Sequence, residues 1–139
     1  ARPSGKRHRK RSFSGLLFGA LNRPAKNSLA EHIARENAAR NGFGSDRFTA
    51  LTGNVVTDTA LMQRLSEGGG YDIVCANIVA GVIVQLVPVV PRLLKAGGVF
   101  LCSGILAERE AEVRQAIEQA GLRVVAAGHT DEWCCLLAQ

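Results

Sequence analysis

The sequence predicts an α/β fold: a mostly parallel sheet, covered by helices on both faces, with one antiparallel strand closing it. Three observations carry that expectation. Strand-like and helix-like patterns alternate along the 139 residues, as they do when a parallel sheet is wound. Residues 71–80, Tyr-Asp-Ile-Val-Cys-Ala-Asn-Ile-Val-Ala, open as a strand buried on both faces, and one amide, Asn77, breaks the apolar run where the strand should end. The chain closes on two apolar runs, 122–126 and 133–138, joined by the polar turn 128–132. That pair reads as a hairpin with one reversed strand near a sheet edge.

The elements follow in order. Residues 1–12 are rich in Arg, Lys, Ser and Gly and have no apolar period, a composition expected to stay disordered. Residues 13–21 are apolar, but Gly15 and Gly19 weaken both a helix and a strand. Residues 28–42 give the clearest helix. Ser28 and Glu31 form a capping box, and Leu29, Ile33, Ala30, Ala34 and Ala38 supply a narrow stripe suited to packing on a sheet. Asn41-Gly42 ends that helix. Residues 47–52 read as a short strand, and Gly53-Asn54 turns the chain. Asp58 or Thr57 caps a helix running through Leu65, and Gly68-Gly69-Gly70 stops it. After the strand 71–76, residues 82–94 are apolar nearly all round and predict a buried helix. Pro88 should interrupt it, because a proline inside a helix loses a bond and clashes with the previous turn. Gly97-Gly98 leads into a strand at 99–102, with Ser103-Gly104 at its carboxyl end. Residues 107–120 form an acid-led helix with Val113 and Ile117 on its stripe, ended by Gly121.

Charge is unevenly spread. Residues 1–26 hold eight Lys/Arg and no acid, whereas residues 27–139 hold nine bases and twelve acids. The net charge of +5 therefore belongs to an amino-terminal arm. A basic tail is weaker support for nucleic-acid binding than a basic body. Cys75, Cys102, Cys134 and Cys135 lie in apolar strand-like runs without metal-ligand spacing, the pattern of free thiols in a reducing compartment. No metal is expected. Residues 73–91 are uncharged but contain Asn77, Gly81, Gln85, Pro88 and Pro91, so a strand, turn and buried helix explain them better than a membrane span. The expected location is cytoplasmic.

Asn77 is the candidate functional residue. In an open α/β sheet, ligands sit at the carboxyl ends of central strands. The bland alternative is that its side chain caps the following helix or ties down the turn.

Four segments in register carry a family resemblance: residues 34–42 (Ala-Arg-Glu-Asn-Ala-Ala-Arg-Asn-Gly), 72–80, 94–100 (Leu-Lys-Ala-Gly-Gly-Val-Phe) and 103–105 (Ser-Gly-Ile), together with the closing Trp133. They resemble the carboxy-terminal catalytic domain of the ribosomal protein L-eleven methyltransferase family, over roughly residues 28–139. The resemblance implies a Rossmann-like class I methyltransferase sheet and S-adenosyl-L-methionine (SAM) as cofactor. The implied partner is a ribosomal protein of the large subunit, methylated on its amino groups. Residues 28–139 are then a partial methyltransferase domain and residues 1–27 a basic arm, disordered or non-native. The resemblance also implies that Asn77 lies beside the methyl donor and the incoming amine, as both a catalytic and a cofactor-binding residue. Asn54 falls about where class I enzymes approach the adenine.

The sequence departs from the family upstream of Ser28. A Gly-rich loop of the form Asp-x-Gly-x-Gly-Ser-Gly and an acid at the end of a second strand are both missing, so the sheet is expected to be incomplete in its amino-terminal half. A frame-shifted translation would explain the departure. Gly5-Lys6-Arg7-His8 can be encoded GGG-AAG-CGG-CAT, and with a following C, reading one base along gives Gly-Ser-Gly-Ile. An ordinary basic tail is the alternative. Two readings of another class stand beside the protein methyltransferase. A nucleic-acid methyltransferase would place the basic arm on phosphates, but no aromatic residue lies near Asn77 in the sequence to stack a flipped base. A non-enzymatic remnant would keep the half-sheet as a binding surface.

Overall fold

The computed structural model describes residues 14–18 and 27–139. Their order is β1 (Gly15–Phe18), α1 (Asn27–Arg40), α2 (Thr59–Ser66), β2 (Tyr71–Asn77), α3 (Ala80–Leu86), α4 (Val90–Leu93), β3 (Leu94–Leu106), α5 (Glu110–Gln119), β4 (Val124–His129) and β5 (Trp133–Ala138). The five strands form one sheet in the order β1-β2-β3-β5-β4. β1, β2 and β3 are parallel, and β5 runs antiparallel to both β3 and β4. This is the mostly parallel sheet with a reversed strand beside its edge that the sequence predicts.

Local chemistry sets most of the boundaries. Asp58 caps α2 by accepting a 3.0 Å hydrogen bond from the Leu61 amide. Gly69 and Gly70 then leave the helix with positive φ. The predicted break at Pro88 is present: a 3-10 turn at Val87–Val89 separates α3 from α4, with Pro88 in its first turn. α3 and α4 still bury Ile83, Leu86, Val87, Val90 and Leu93 as one apolar surface. α5 starts after a 3-10 turn at Ala107–Arg109 and buries Val113 and Ile117.

Three expectations need correction. Residues 47–52 are not a strand: 45–47 form a turn, and 48–52 have no regular structure. A strand needs a neighbour to satisfy its backbone groups, and among the described residues no strand lies beyond β1. The ambiguous run 13–21 supplies that edge strand. Its described part, Gly15–Phe18, pairs with β2. Second, α1 forms where predicted but does not pack as predicted. Leu29 and Ile33 are 60% and 46% exposed, and no described side chain of the helix is buried. The capping box at Ser28 falls on a side chain outside those described. Third, the described residues cover the sheet on one face only. Val74, Ala76, Phe100, Cys102, Leu136 and Ala138 point into the core beneath α2–α5. The other face carries Leu17, Cys75, Leu101 and Leu137 in one cross-strand row, none of them buried.

A polar cluster ties β1 to the amino end of the sheet. Asp72 Oδ2 accepts hydrogen bonds from the Ser14 amide (2.8 Å) and the Ser14 hydroxyl (3.2 Å), and lies 3.4 Å from Lys95 Nζ. The Ser14 amide, and after it Lys95, hold the carboxyl below its ordinary 3.8 despite partial desolvation. A depressed folded pKa stabilises the fold fully above the unfolded value. That contribution is lost as the pH falls through the folded one. Thermal melts should therefore show wild type more stable than Asp72→Asn near neutrality, with the gap closing as the pH falls below the ordinary carboxylate value of 3.8. A gap that widens on acidification would contradict the assignment.

Candidate active site

Asn77 is the last residue of β2 and stands beside Ser103 of β3 in the parallel register. Its side chain is exposed. The bland reading fails on geometry: the residue capping α3 is Val79, which makes no side-chain cap bond. Among the described residues, the Asn77 carboxamide has no hydrogen-bond partner. A free amide oxygen at a strand terminus can accept hydrogen bonds from an incoming donor.

Gly104 makes room for that carboxamide. Its φ is +75°, and a Cβ built on it would stand 2.8 Å from Asn77 Oδ1 and 3.3 Å from the Ile78 carbonyl. Only glycine combines that backbone conformation with that clearance. The sequence alone places Ser103-Gly104 at a strand end without showing what it faces. The cross-strand register, which sets Ser103 opposite Asn77, brings the next residue, Gly104, against the carboxamide.

Asn54 is placed differently. It lies in the exposed turn before α2, where its Oδ1 accepts from the Val56 amide at 3.0 Å. Its carbonyl accepts from the amides of Thr57 (3.1 Å) and Asp58 (2.8 Å). Its side chain is thus engaged in its own turn, and no described hydrogen bond joins it to Asn77.

The remaining reactive groups are quiet. Cys102 is fully buried, and desolvation pushes its thiol up to about 12. Burial raises Cys75 and Cys134 as well. These are protonated packing groups, not nucleophiles. Among the described residues, no group of three or more His, Cys, Asp or Glu could hold a metal, and no helix is long and apolar enough to cross a membrane. A shallow depression of about 410 Å³, lined by Leu94, Gly97, Gly98 and Gln139 among others, lies at the opposite end of β3 from Ser103.

For a nucleotide-bearing methyl donor, this site fits at one end. Gly104 leaves backbone and carboxamide open at the carboxyl ends of β2 and β3. The carboxylate that would hold ribose hydroxyls has no candidate at the start of the chain, because the first acidic residue is Glu31. Residues 19–26, which connect β1 to α1, lie outside those described.

Comparison with known proteins gives one consistent answer. The family model described as "Ribosomal protein L11 methyltransferase (PrmA)" matches residues 25–139. The ribosomal protein L11 methyltransferase of Agathobacter rectalis is 43% identical over 105 residues, covering 76% of this chain and 32% of that protein. That of Brevibacillus brevis is 44% identical over 125 residues, covering 89% of this chain and 39% of that protein. Among solved structures, the ribosomal protein L11 methylase of Lactobacillus delbrueckii subsp. bulgaricus superposes with a TM-score of 0.62 at 25% identity. That match covers 78% of this chain and 51% of the other. This chain thus spans only 32% and 39% of the length of those two relatives. The match to the family model over residues 25–139 settles membership: this chain belongs to the ribosomal protein L11 methyltransferase family.

Proposed function

We propose that the Asn77 corner is the methyl-transfer site of a SAM-dependent enzyme acting on amino groups of a large-subunit ribosomal protein. The observation that carries this reading is the unpartnered Asn77 carboxamide, held at the carboxyl end of β2 with Gly104 clearing space beside it. SAM, when bound, supplies an electrophilic methyl group. The chain's own part is positioning. An attacking amine must be neutral, with its lone pair on the line of displacement. An amide oxygen can accept hydrogen bonds from the amine's N–H groups and aim it without charging it. Orientation of this kind accounts for a large share of a two-substrate rate enhancement. No acid–base pair is required of the site. Asn54, spent in its own turn, is proposed only as a shape element near the adenine end.

The partial fit has a consequence. Residues 28–139 act as a partial methyltransferase domain, and residues 1–27 do not supply the cofactor loop or its carboxylate. This chain therefore binds SAM more weakly than micromolar and transfers slowly. Two measurements test the reading. Calorimetry with SAM should show no micromolar affinity for the chain as it stands. Translating the gene in its other two frames should reveal the Gly-rich loop. A chain carrying that translation should bind SAM and move a labelled methyl from it to proteins of under-methylated large subunits. If the rebuilt chain labels ribosomal RNA and not protein, or labels nothing, the proposal fails.

A further inference from the structure

The carboxyl end of β3 is irregular where it meets Asn77. In the β3–β5 ladder, Cys102 stands opposite Leu136 and Ile105 opposite Cys134. Ser103 and Gly104 therefore face the single residue Cys135, which makes a β-bulge. Bulges beside active sites re-aim a side chain. Strict alternation from the buried Cys102 would turn Ile105 outward. The extra residue returns Ile105 to the core, where it is fully buried. On the other side of β3, Ser103 keeps its register with Asn77. The preceding pair, Ala76 and Cys102, is buried in the core, so Asn77 and Ser103 leave the sheet together on the opposite face. Gly104, at φ +75°, then brings β3 so close that only a residue without a Cβ clears Asn77 Oδ1. Ser103 is half-buried, and among the described residues its hydroxyl has no hydrogen-bond partner. No enclosed polar side-chain atom among those residues lacks a partner, so this hydroxyl reaches solvent.

We propose that Ser103 Oγ is a second acceptor for the incoming amine, working beside Asn77 Oδ1. The inference rests on the methyl-transfer reading of the Asn77 corner and names what the site recognises: both N–H groups of one neutral primary amine. Such an amine carries two N–H bonds and one lone pair. A single acceptor fixes one N–H and leaves the nitrogen free to swing about that hydrogen bond. Acceptors on two adjacent strands fix both, and the lone pair then keeps one direction. The Ser103 hydroxyl hydrogen turns to water, which leaves its oxygen lone pairs to accept. In the transfer, the amine lone pair forms the new N–C bond and the C–S bonding pair stays on sulfur. The excess proton on nitrogen then passes to water. As nitrogen becomes positive its N–H groups donate more strongly, so both oxygens hold the transition state more tightly than the free amine. Once one methyl has been added, a single N–H remains and one acceptor suffices. Ser103 therefore acts on the first methylation.

The test uses the 139-residue chain as it stands and needs no methyl donor. Trifluoroethylamine is a primary amine that is uncharged at neutral pH. Its N-methyl and N,N-dimethyl forms keep one N–H and none. Each is titrated against the chain, and the NMR signal of the Asn77 carboxamide, assigned by its loss in Asn77→Ala, reports binding. The primary amine should bind most tightly. The N-methyl amine should bind about two- to tenfold more weakly, the worth of one net hydrogen bond. Ser103→Ala should abolish that step while keeping the next one, between the N-methyl and N,N-dimethyl forms. Ser103→Thr, which retains the hydroxyl, should restore it, and urea midpoints check that both variants fold. A primary-over-secondary preference that survives in Ser103→Ala overturns the second acceptor and leaves the Asn77 reading standing. A carboxamide signal that none of the three amines moves overturns both. In the chain rebuilt with its cofactor loop, Ser103→Ala should slow addition of the first methyl by the same factor and leave the second unchanged. Equal losses in the two steps would give Ser103 a merely structural role and overturn the proposal.

Discussion

Phe100→Ala should cost about 3–5 kcal/mol, the range for emptying a buried aromatic position, and should leave the chain largely unfolded at room temperature. Phe100 is fully buried at the middle of β3, between Val74 of β2 and Ala138 of β5. It is also the largest fully buried side chain of the core. The loss is a large fraction of the total, because native domains hold net stabilities of only about 5–15 kcal/mol. The effect reaches the site through register. Phe100 opposite Val74 lies three residues before Ser103 opposite Asn77, on the same pair of strands. Slackening the first pair loosens the second. Urea unfolding monitored by far-UV circular dichroism checks the loss, with Phe100→Leu as a milder companion. A cost under about 1 kcal/mol for Phe100→Ala would mean that this part of the core repacks without penalty.

Elements with local causes could be read from the sequence. The Asp58 cap and the Gly69-Gly70 exit bound α2 from within the segment itself. Pro88 breaks the buried helix for a reason confined to one turn. The closing hairpin is specified by two apolar runs and a polar turn. Whatever depends on a distant neighbour could not be read. Residues 47–52 have strand-like composition, yet a strand exists only if another lies beside it. β1 sits where residues 13–21 admitted either state, because pairing with β2 decides it. The stripe on α1 predicted packing against a sheet, but whether a face is covered depends on which chain is there to cover it. The candidate site divides in the same way. An amide breaking an apolar run at a strand end is visible in one dimension. That its carboxamide is unpartnered, and that Gly104 stands against it, emerges only from the alignment of β2 with β3.

Asn77→Ala and Gly104→Ala should have linked effects. In the chain rebuilt with its cofactor loop, each should lower methyl transfer about 100-fold, the loss expected when a reacting group is left misaligned by about 1 Å. Asn77→Ala removes the acceptor that aims the amine. Gly104→Ala leaves that acceptor in place but displaces it, because the new Cβ would fall 2.8 Å from Asn77 Oδ1. Gly104→Ala should also destabilise the fold by about 1–3 kcal/mol, the cost of holding a residue with a side chain in a left-handed backbone conformation. The double variant distinguishes positioning from general damage. If Gly104 acts through Asn77, Gly104→Ala in the Asn77→Ala background should cost almost no further activity. It should also cost less stability than in wild type, because the contact with Oδ1 is gone, while the backbone strain at φ +75° and the 3.3 Å approach to the Ile78 carbonyl remain. Fully additive losses in both transfer and urea midpoint would mean that the two residues work independently, and that the clearance beside Asn77 has no part in aiming the amine.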